Sequence, residues 1–588
     1  MTNFARARKA AQVRISKSLD DKDTLELSPK SLAQSYSLFQ LHDELVGNNG
    51  KQNTEDDLSN LLILRSCLEE GPSRLQREDN DEQYITRLSV WISKSILPTF
   101  EVSDHDSSHE SILSSHDSSL QFEDKTDSTN ASRQKILHIA RRKGILGLQS
   151  LFKLLTLAKT SKFLTPIPKE VLVSILAFTS TRDIWSTPTS LSTAEQLLAL
   201  PSVQKSLQAP EFVSTDILHR FVRPLFSASK PRTVTAAGRK AMPSTAPLKR
   251  YDFDVERASR PWLHETVYTL AVLEWAVGAI SPKILETSWP LLLPPLLTLL
   301  DTPGTSILTR GLSLIITLLP KLSPKVLAQS GLASVFSDAI IPTTLYLPSI
   351  TPLEESLQIL PLAYEALFVL YDVQYASLAI TPPLSSTSIT LKATRESDLQ
   401  SQLKKRDKAR LAYLDTLIRR SIFSTYLHAS QHPSIVSLLL KQLTTLIPKL
   451  GIHTVKHLKD IFPILASVLT DPFAAARLED IRVALEAFRV LLKVCWVRIR
   501  EVGWRREGVK MLVICWSVLG QVDEDNVIAN GIEGLDGKEV LRRVRGECKV
   551  TGQVFAKAVG GKVDLKVELK PLLDVEEGIE ELFGLGYT

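Results

Sequence analysis

The feature that most constrains the fold of this chain is an apolar pattern with the period of an α-helix, repeated between short turns. From residue 458 to 469 the apolar side chains recur every three or four positions, which places them on one helical face; they are Leu458, Ile461, Phe462, Leu465, Val468 and Leu469. Asp471 and Pro472 then give a turn signal. A second periodic stretch covers 481–492. Together they predict two antiparallel helices joined by a short turn.

Residues 289–319 have the same layout. An apolar helix ends at Asp301-Thr302-Pro303, and a second helix begins near Thr305 and carries Arg310. Each such pair would span roughly 40 residues, which is typical of HEAT-like repeats that bury their apolar faces against their neighbours. Alternating strand patterns are nearly absent. We therefore predict an all-α fold, a HEAT-like α-solenoid of antiparallel helix pairs with disordered insertions.

Three stretches interrupt the helical pattern. Residues 101–133 are so rich in serine and acidic residues that they cannot bury enough apolar surface to order themselves. Residues 227–250 are basic and rich in Pro, Ala, Ser and Thr, and residues 381–395 form a third break. The resulting division is an N-terminal helical region (1–100), a disordered acidic loop (101–133) with candidate phosphorylation sites at Ser107, Ser108, Ser114 and Ser115, a helical region (134–226), a basic linker (227–258), a HEAT-like repeat domain (259–520) and a C-terminal helical extension (521–588).

Composition excludes several classes of protein. The net charge is only +5, with 70 basic and 65 acidic residues, whereas nucleic-acid binders usually carry a strongly basic domain. The four cysteines are scattered without a CxxC pair, which suits a reducing compartment. The most apolar run, 290–300, is too short to cross a bilayer. The basic N-terminus resembles a mitochondrial presequence, although an ordinary basic helix is the preferred interpretation.

A possible metal site lies in LGIHTVKHLKDIF, where His453 and His457 stand four residues apart and Asp460 follows. Zinc would accept this set if all three lay on one helical face. However, Thr454 stands where a metalloprotease needs Glu, and Thr454 is also an N-cap candidate, which would leave His453 outside the helix. His428 and His432 have the same spacing, but Pro433 follows at once. We prefer a structural or partner-contact role for these histidines.

Signatures of catalysis are missing from the sequence. GLDGKEV has Glu539 where a phosphate-binding loop needs Ser or Thr, and no GxSxG or kinase motif set occurs. Basic clusters (Lys404–Arg410; Arg498, Arg500, Arg505 and Arg506; Arg542, Arg543 and Arg545) have acids among them and are interpreted as solvated helix faces rather than binding patches. Cys495-Trp496 and Cys515-Trp516 recur 20 residues apart and predict buried pairs in successive helices, with the tryptophans in the core or at an interface.

Several blocks resemble the fungal branch of the Tel-two-interacting protein two family. They occur in the family's order over about residues 259–520, and are RPWLHE (260–265), TSWPLLLPPLLTLLDTP (287–303), EESLQILPLAYEAL (354–367), LDTLIRRSIFSTYLHASQHPSI (414–435), LGIHTVKHLKDIFPILASVLTDPF (450–473) and CWVRI (495–499). No resemblance is evident before residue 250.

The resemblance implies a non-enzymatic scaffold without a cofactor, cytoplasmic and nuclear, in the Triple-T co-chaperone complex. Its expected partners are Tel-two and Tel-two-interacting protein one, which work with the ninety-kilodalton heat-shock chaperone on phosphatidylinositol-kinase-related kinases of the TOR, ATM and ATR type. Neither a membrane nor direct nucleic-acid binding is expected. We place the partner contact on Lys456, His457, Lys459 and Asp460, which the helical period puts away from the Leu458/Ile461 stripe or at its margin. Two alternatives stay open: a HEAT-type transport or adaptor protein, and a metal-dependent enzyme using His453 and His457.

Overall fold

The computed structural model describes residues 4–17, 25–46, 54–78, 80–99, 127–159, 166–209, 211–227, 260–375, 389–473, 476–521, 537–560, 564–574 and 578–585. Regular structure in these ranges is helical except for one pair of two-residue strands. The predicted all-α class is therefore confirmed. The chain divides into two compact units, Met1–Gln329 and Ser330–Thr588.

The first unit is built from helices of very different length. Its α-helices are α1 (Ala5–Lys17), α2 (Leu38–Val46), α3 (Thr54–Glu69), α4 (Gly71–Arg74), α5 (Asp81–Ile96), α6 (Asp127–Lys159), α7 (Lys169–Leu176), α8 (Pro188–Leu198), α9 (Pro201–Leu207), α10 (Arg223–Ser227), α11 (Pro261–His264), α12 (Thr269–Ala279), α13 (Pro282–Asp301), α14 (Thr305–Leu318) and α15 (Pro324–Ser330), whose last residue is the first of the second unit. A π-helix (Phe212–Val222) precedes α10, and 3-10 turns cover Pro29–Ser31 and Leu319–Lys321. Strands β1 (Tyr36–Ser37) and β2 (Leu75–Gln76) pair in parallel.

The long helix α6 organises the first part of this unit. It packs against α3, α5 and α8, while α5 also contacts α2 and α7. Gly147 permits the closest approach, because a Cβ there would lie 2.1 Å from the side chain of Ile96 on α5. Further along, α13 and α14 form the predicted hairpin: α13 ends at Asp301, α14 begins at Thr305, and the two helices pack together.

The second unit shows the repeat pattern most clearly. Its α-helices are α16 (Leu332–Ile340), α17 (Leu353–Tyr375), α18 (Ile389–Leu417), α19 (Ser424–Ala429), α20 (Pro433–Leu450), α21 (Leu458–Leu469), α22 (Leu478–Ile499), α23 (Val502–Gly520), α24 (Gly537–Val559), α25 (Leu565–Leu573) and α26 (Gly578–Phe583). A π-helix (Ile418–Phe423) joins α18 to α19, and 3-10 helices cover Ile341–Leu345 and Gly451–His457.

From α20 to α24, every second helix packs side by side. Helices α20, α22 and α24 form one layer, and α21 contacts α23 in the other. A row of aromatic rings from α21, α22, α24 and α26 runs through the core, with centroids 6.1–6.2 Å apart: Phe462, Phe488, Phe555 and Phe583. This layered arrangement is what stacked helix pairs produce.

The predicted apolar stripes are confirmed. All six stripe residues of α21 are buried, and so are their counterparts on α22: Ile481, Ala484, Leu485, Phe488, Leu491 and Leu492. The predicted insertions are shorter where the structure describes them, because α6 begins at Asp127 and α18 at Ile389. Residues 101–126, most of the basic linker and residues 381–388 lie outside the described ranges.

Within the described ranges, two helical runs are long and apolar enough to cross a membrane by length and composition alone. They are Leu353–Tyr375 and Pro433–Leu469, and a bent pair, Thr305–Lys321 with Pro324–Ser330, would make a third. The sequence analysis had considered only the shorter run at 290–300. About half of each long run is buried inside the protein (56% and 50%), so helix packing accounts for their apolar faces.

Candidate partner-binding surface

The predicted contact residues span a change of helix type. Helix α20 ends at Gly451, whose φ of +58° favours glycine and whose N–H donates to the carbonyl of Ile447. A 3-10 helix then covers Gly451–His457, and α21 starts only at Leu458. Lys456 and His457 therefore belong to the 3-10 segment, whereas Lys459 and Asp460 lie in the first turn of α21.

This change of helix type corrects the predicted placement of His457. In a 3-10 helix, side chains three residues apart eclipse each other. Thr454 and His457 accordingly share the inner side and are both 0% exposed, while His453 and Lys456 are exposed. The α-helical period had wrongly put His457 with the polar residues. The N-cap prediction for Thr454 is also wrong, because its hydroxyl donates instead to the carbonyl of Ile447 at 3.4 Å.

The same geometry separates the histidine pairs. His453 faces out and His457 faces in, so the spacing of four does not place them on a shared face. His428 is exposed near the end of α19, and His432 precedes α20, in which Pro433 is the first residue rather than a terminator. Across the described ranges no cluster of three or more His, Cys, Asp or Glu residues could hold a metal ion.

Asp415 on α18 contacts two residues of the 3-10 helix and so links the two segments. Its Oδ1 lies 2.7 Å from Lys456 Nζ and 3.0 Å from His457 Nε2, and its Oδ2 accepts a hydrogen bond from Arg419 Nε at 3.1 Å. Burial raises the pKa of Asp415, but its hydrogen bond with Lys456 and the charges of Lys456 and Arg419 outweigh that effect and lower the pKa overall. Asp415 is therefore ionised at neutral pH. We call these four residues the Asp415 cluster.

His457 is the fully buried member of the Asp415 cluster. Neither ring nitrogen makes a hydrogen bond of good geometry within the described part of the chain, although Nε2 lies close to Asp415. The ring packs near Phe423, with centroids 5.8 Å apart. Burial lowers the pKa of His457, and the Asp415 carboxylate only partly offsets this. His457 is thus neutral at pH 7, with a structural rather than a partner-contact environment.

Lys459 and Asp460 remain at the surface. Lys459 is exposed and Asp460 is half-buried, and neither has an ion pair or side-chain hydrogen bond to any described residue. Asp460 lies in the first turn of α21, where a negative charge stabilises the positive end of the helix dipole. With Lys456 they form a small charged edge beside a well-packed helix.

Most of the clustered arginines are anchored within the protein. Arg505 makes two hydrogen bonds to Glu568, at 2.7 and 3.1 Å, and Arg545 donates to the carbonyl of Leu519. Arg498 pairs with Glu501, and Arg500 stacks over Trp496 at 4.2 Å. The contacts of Arg505 and Arg545 join neighbouring helices, whereas those of Arg498 and Arg500 are local. The prediction of solvated helix faces therefore does not hold for Arg505, which is buried.

The two Cys-Trp pairs differ in exposure from their prediction. Cys495 and Cys515 are buried as expected, and Cys515 lies beside Cys548. Trp496, however, is 41% exposed at the end of α22. The recurrence therefore predicts the buried thiols correctly, whereas Trp496 lies on the surface with Arg500 against its ring.

The first unit contains an ionic triad that the sequence did not predict. Arg310 on α14 makes two hydrogen bonds of 2.8 Å to Glu274 on α12 and one to Asp183, in the loop before α8. Burial raises the pKa of Asp183 to about 6 even though Arg310 opposes this. A signal was present: Glu274 and Arg310 are each the only charged residue of their helix.

The described residues define an all-α protein of packed helix pairs with a charged edge at a helix junction. The model of the Tti2 family matches residues 171–476, which is just over half of the 588-residue chain. The chain belongs to the Tti2 family. The match begins well before residue 259, in a part where no resemblance was evident, and it ends after α21. Family membership supports the role of a subunit of the Triple-T co-chaperone complex.

Other comparisons add little. No curated protein matches the chain. Among solved structures, the crystal structure of Kap121p bound to Pho4p matches at 11% identity and a TM-score of 0.27, over 93% of this chain and 54% of that chain. This chain thus spans about half the length of the matched protein, and a similarity at this TM-score supports no conclusion about function.

Proposed function

We propose that this protein is a non-enzymatic scaffold of a co-chaperone complex that assists the maturation of phosphatidylinositol-kinase-related kinases of the TOR, ATM and ATR type. It acts together with the ninety-kilodalton heat-shock chaperone, in the cytoplasm and the nucleus. The observation that carries the proposal is the family match over residues 171–476. The direct partners are Tel-two and Tel-two-interacting protein one.

The structure is suited to such a role because packed helix pairs present long surfaces on a rigid frame. Binding between folded proteins comes from a large contact area in which a few residues carry most of the energy. The charged edge at the start of α21 has the features of a contact site, since Lys459 and Asp460 are free of partners among the described residues and α21 itself is anchored by its buried stripe. His457 would act indirectly, by holding the 3-10 helix in place.

The experiment is affinity purification of the tagged protein from the cells that make it, followed by quantitative mass spectrometry. We expect near-equal amounts of the two partners and smaller amounts of the kinases. The variant Lys459→Glu/Asp460→Lys reverses both free charges and leaves the Asp415 cluster intact. If these residues contact a partner, recovery should fall at least about tenfold, which corresponds to about 1.4 kcal/mol.

A matched control reverses two exposed charges near the start of another helix. Lys283→Glu/Glu286→Lys in α13 has the same chemistry, and both side chains are exposed. It should leave recovery unchanged. Equal loss in both variants would argue against a specific contact at α21. Recovery of neither partner by the unmodified protein would overturn the proposed function itself, and a cargo protein recovered in their place would favour a transport adaptor.

A further inference from the structure

The exposed part of α18 carries an unusual run of lysines. Lys404, Lys405 and Lys408 are all exposed, and none has an ion pair or hydrogen bond within the described part of the chain. Their spacing of one, three and four residues places them on one helical face. The sequence analysis interpreted the whole 404–410 cluster as a solvated face; the structure separates it into two faces with different environments.

The opposite face of the same segment is hydrogen-bonded to the neighbouring helices α17 and α20. Arg410 donates to the carbonyl of Lys449 at 2.9 Å and to the hydroxyl of Tyr371 at 3.3 Å, and it pairs with Asp407 at 3.5 Å. Tyr413 donates to the carbonyl of Leu367 at 2.9 Å. The acid of the cluster, Asp407, therefore pairs with Arg410 and forms no ion pair with any of the three lysines.

The lysine face does not stabilise its own helix. Lys404 and Lys408 are like charges four residues apart, a spacing that destabilises a helix. Residues 401–405 are exposed on every side, so no packing of described residues compensates for this cost. A charge arrangement that is unfavourable in the isolated chain suits binding to opposite charge.

The lysine face continues toward the candidate contact surface. Asp415 lies about two helical turns beyond Lys408, and Arg419 about three; Asp415 is bound to Arg419 at 3.1 Å and to Lys456 at 2.7 Å. Five cations thus lie along this stretch, with Asp415 between the three lysines and the other two: Lys404, Lys405, Lys408, Arg419 and Lys456. From residue 404 to 419 the edge extends about 23 Å at 1.5 Å per residue. We call it the basic edge.

We propose that the basic edge is the docking surface for a carboxylate-rich helical segment of a partner protein. Its length matches about fifteen residues of a second helix, and its row of charges matches acidic residues at helical spacing. A nucleic acid fits less well, because the Asp415 carboxylate in the middle of the edge would repel a phosphate backbone. The inference deepens the proposed function by giving the chemistry of one partner contact, and it rests on that function only in taking the partner to be a protein.

The direct test uses a labelled 16-residue alanine-based peptide with glutamates along one helical face, measured by fluorescence anisotropy against the full-length protein. The variant Lys404→Gln/Lys405→Gln/Lys408→Gln should bind it at least tenfold more weakly. The control Arg506→Gln/Lys510→Gln/Arg542→Gln removes three other exposed cations of the same unit and should change the affinity less than twofold. Affinity for the unmodified protein should fall as salt is raised.

Two results of this titration would overturn the proposal. An equal loss in both triple variants would mean that only net charge matters. Tighter binding of a 16-base-pair DNA duplex, lost in the same lysine variant, would assign the edge to nucleic acid. Circular dichroism and the thermal midpoint verify that the variants are folded, which we expect because these lysines make no contact with the core.

A second measurement places the edge in the assembled complex. Amine-reactive labelling of the purified complex should modify Lys404, Lys405 and Lys408 at least fivefold more slowly than in the isolated chain, with Lys510 as an internal reference. Unchanged labelling in a complex that contains the partners would contradict the proposal. If no complex is recovered, the proposed function fails while the peptide titration still decides the chemistry of the edge.

Discussion

The two ionic clusters of this protein contain similar groups in opposite surroundings. In the first unit, Arg310 is 2% exposed and binds Asp183 and Glu274. In the second unit, Asp415 is 28% exposed and gathers Lys456, Arg419 and His457. The first cluster joins three elements of the core, whereas the second lies where a 3-10 helix meets the surface. The ion-pair distances in the two clusters are therefore similar, although the first cluster is buried in the core and the second is accessible to solvent.

Burial determines how each cluster responds to change. Removing one member of a buried ionic group leaves an uncompensated charge in a low-dielectric interior, whereas exposed pairs contribute little and lose their effect in salt. Lowering the pH should also change the contributions of the two clusters to stability in opposite directions. Asp183 has a raised folded pKa, so its contribution to stability grows as pH falls from about 6 to about 4. His457 has a lowered folded pKa, so its contribution is lost as pH falls below about 6.5.

The largest loss of stability is expected for Arg310→Ala. It should destabilise the first unit by about 3–5 kcal/mol, because the buried Asp183 and the partly buried Glu274 lose their shared cation. Urea denaturation followed by circular dichroism measures the loss. The triple variant Asp183→Asn/Glu274→Gln/Arg310→Met should lose much less, since no buried charge is left. A loss below about 1 kcal/mol for Arg310→Ala would show that the triad is not structural.

Asp415→Ala should have a smaller effect, about 1 kcal/mol. The change leaves Lys456 and Arg419 without their carboxylate, but both side chains reach solvent and can be hydrated. The same denaturation experiment measures it, with Asp407→Ala as the control on the exposed part of α18. A loss as large as that of Arg310→Ala would contradict the distinction between the two clusters.

The third prediction concerns the contribution of His457 to the pH dependence of stability. Between about pH 7 and about pH 5.5 the unfolded state gains a proton at this histidine while the folded state resists it, so stability falls. His457→Phe keeps a ring beside Phe423 and removes the titrating group. The difference in urea midpoint between the two pH values should therefore be smaller in the variant than in the unmodified protein. An equal or larger difference would assign the response to other groups.

The smallest effect is expected at the charged edge itself. Lys459→Glu should change the free energy of unfolding by less than about 0.5 kcal/mol, because Lys459 is exposed and makes no ion pair with any described residue. Thermal denaturation at low and high salt provides the measurement. A large loss would show that Lys459 contributes to the fold, and its charge reversal could then no longer report on partner binding.

The sequence predicts the helices well because their apolar stripes are local and strong. All six stripe residues of α21 are buried, and the turn at Asp301 lies where the Asp/Pro signal put it. The 3-10 helix could not be distinguished in the same way. Seven residues make only about two turns, so their polarity pattern cannot distinguish a helix of 3.0 residues per turn from one of 3.6. The choice between the two nevertheless decides whether His457 lies on the buried or the exposed side.

The ionic triad was missed for a different reason. Asp183 and Arg310 are 127 residues apart, and Glu274 is 36 residues from Arg310. No periodicity connects such positions, since only the packing of α12 and α14 and the loop before α8 brings them together. A lone charge in an apolar helix indicates that a buried partner exists, but it does not identify the partner.

Helices α20, α22 and α24 pack in series, and this arrangement affects how the second unit unfolds. Each helix in that layer depends mainly on the one before and the one after it, so stability is close to a sum of neighbouring contributions. Unfolding of this layer should therefore proceed helix by helix rather than in one step. Hydrogen exchange would then show graded protection along the chain rather than one uniform value.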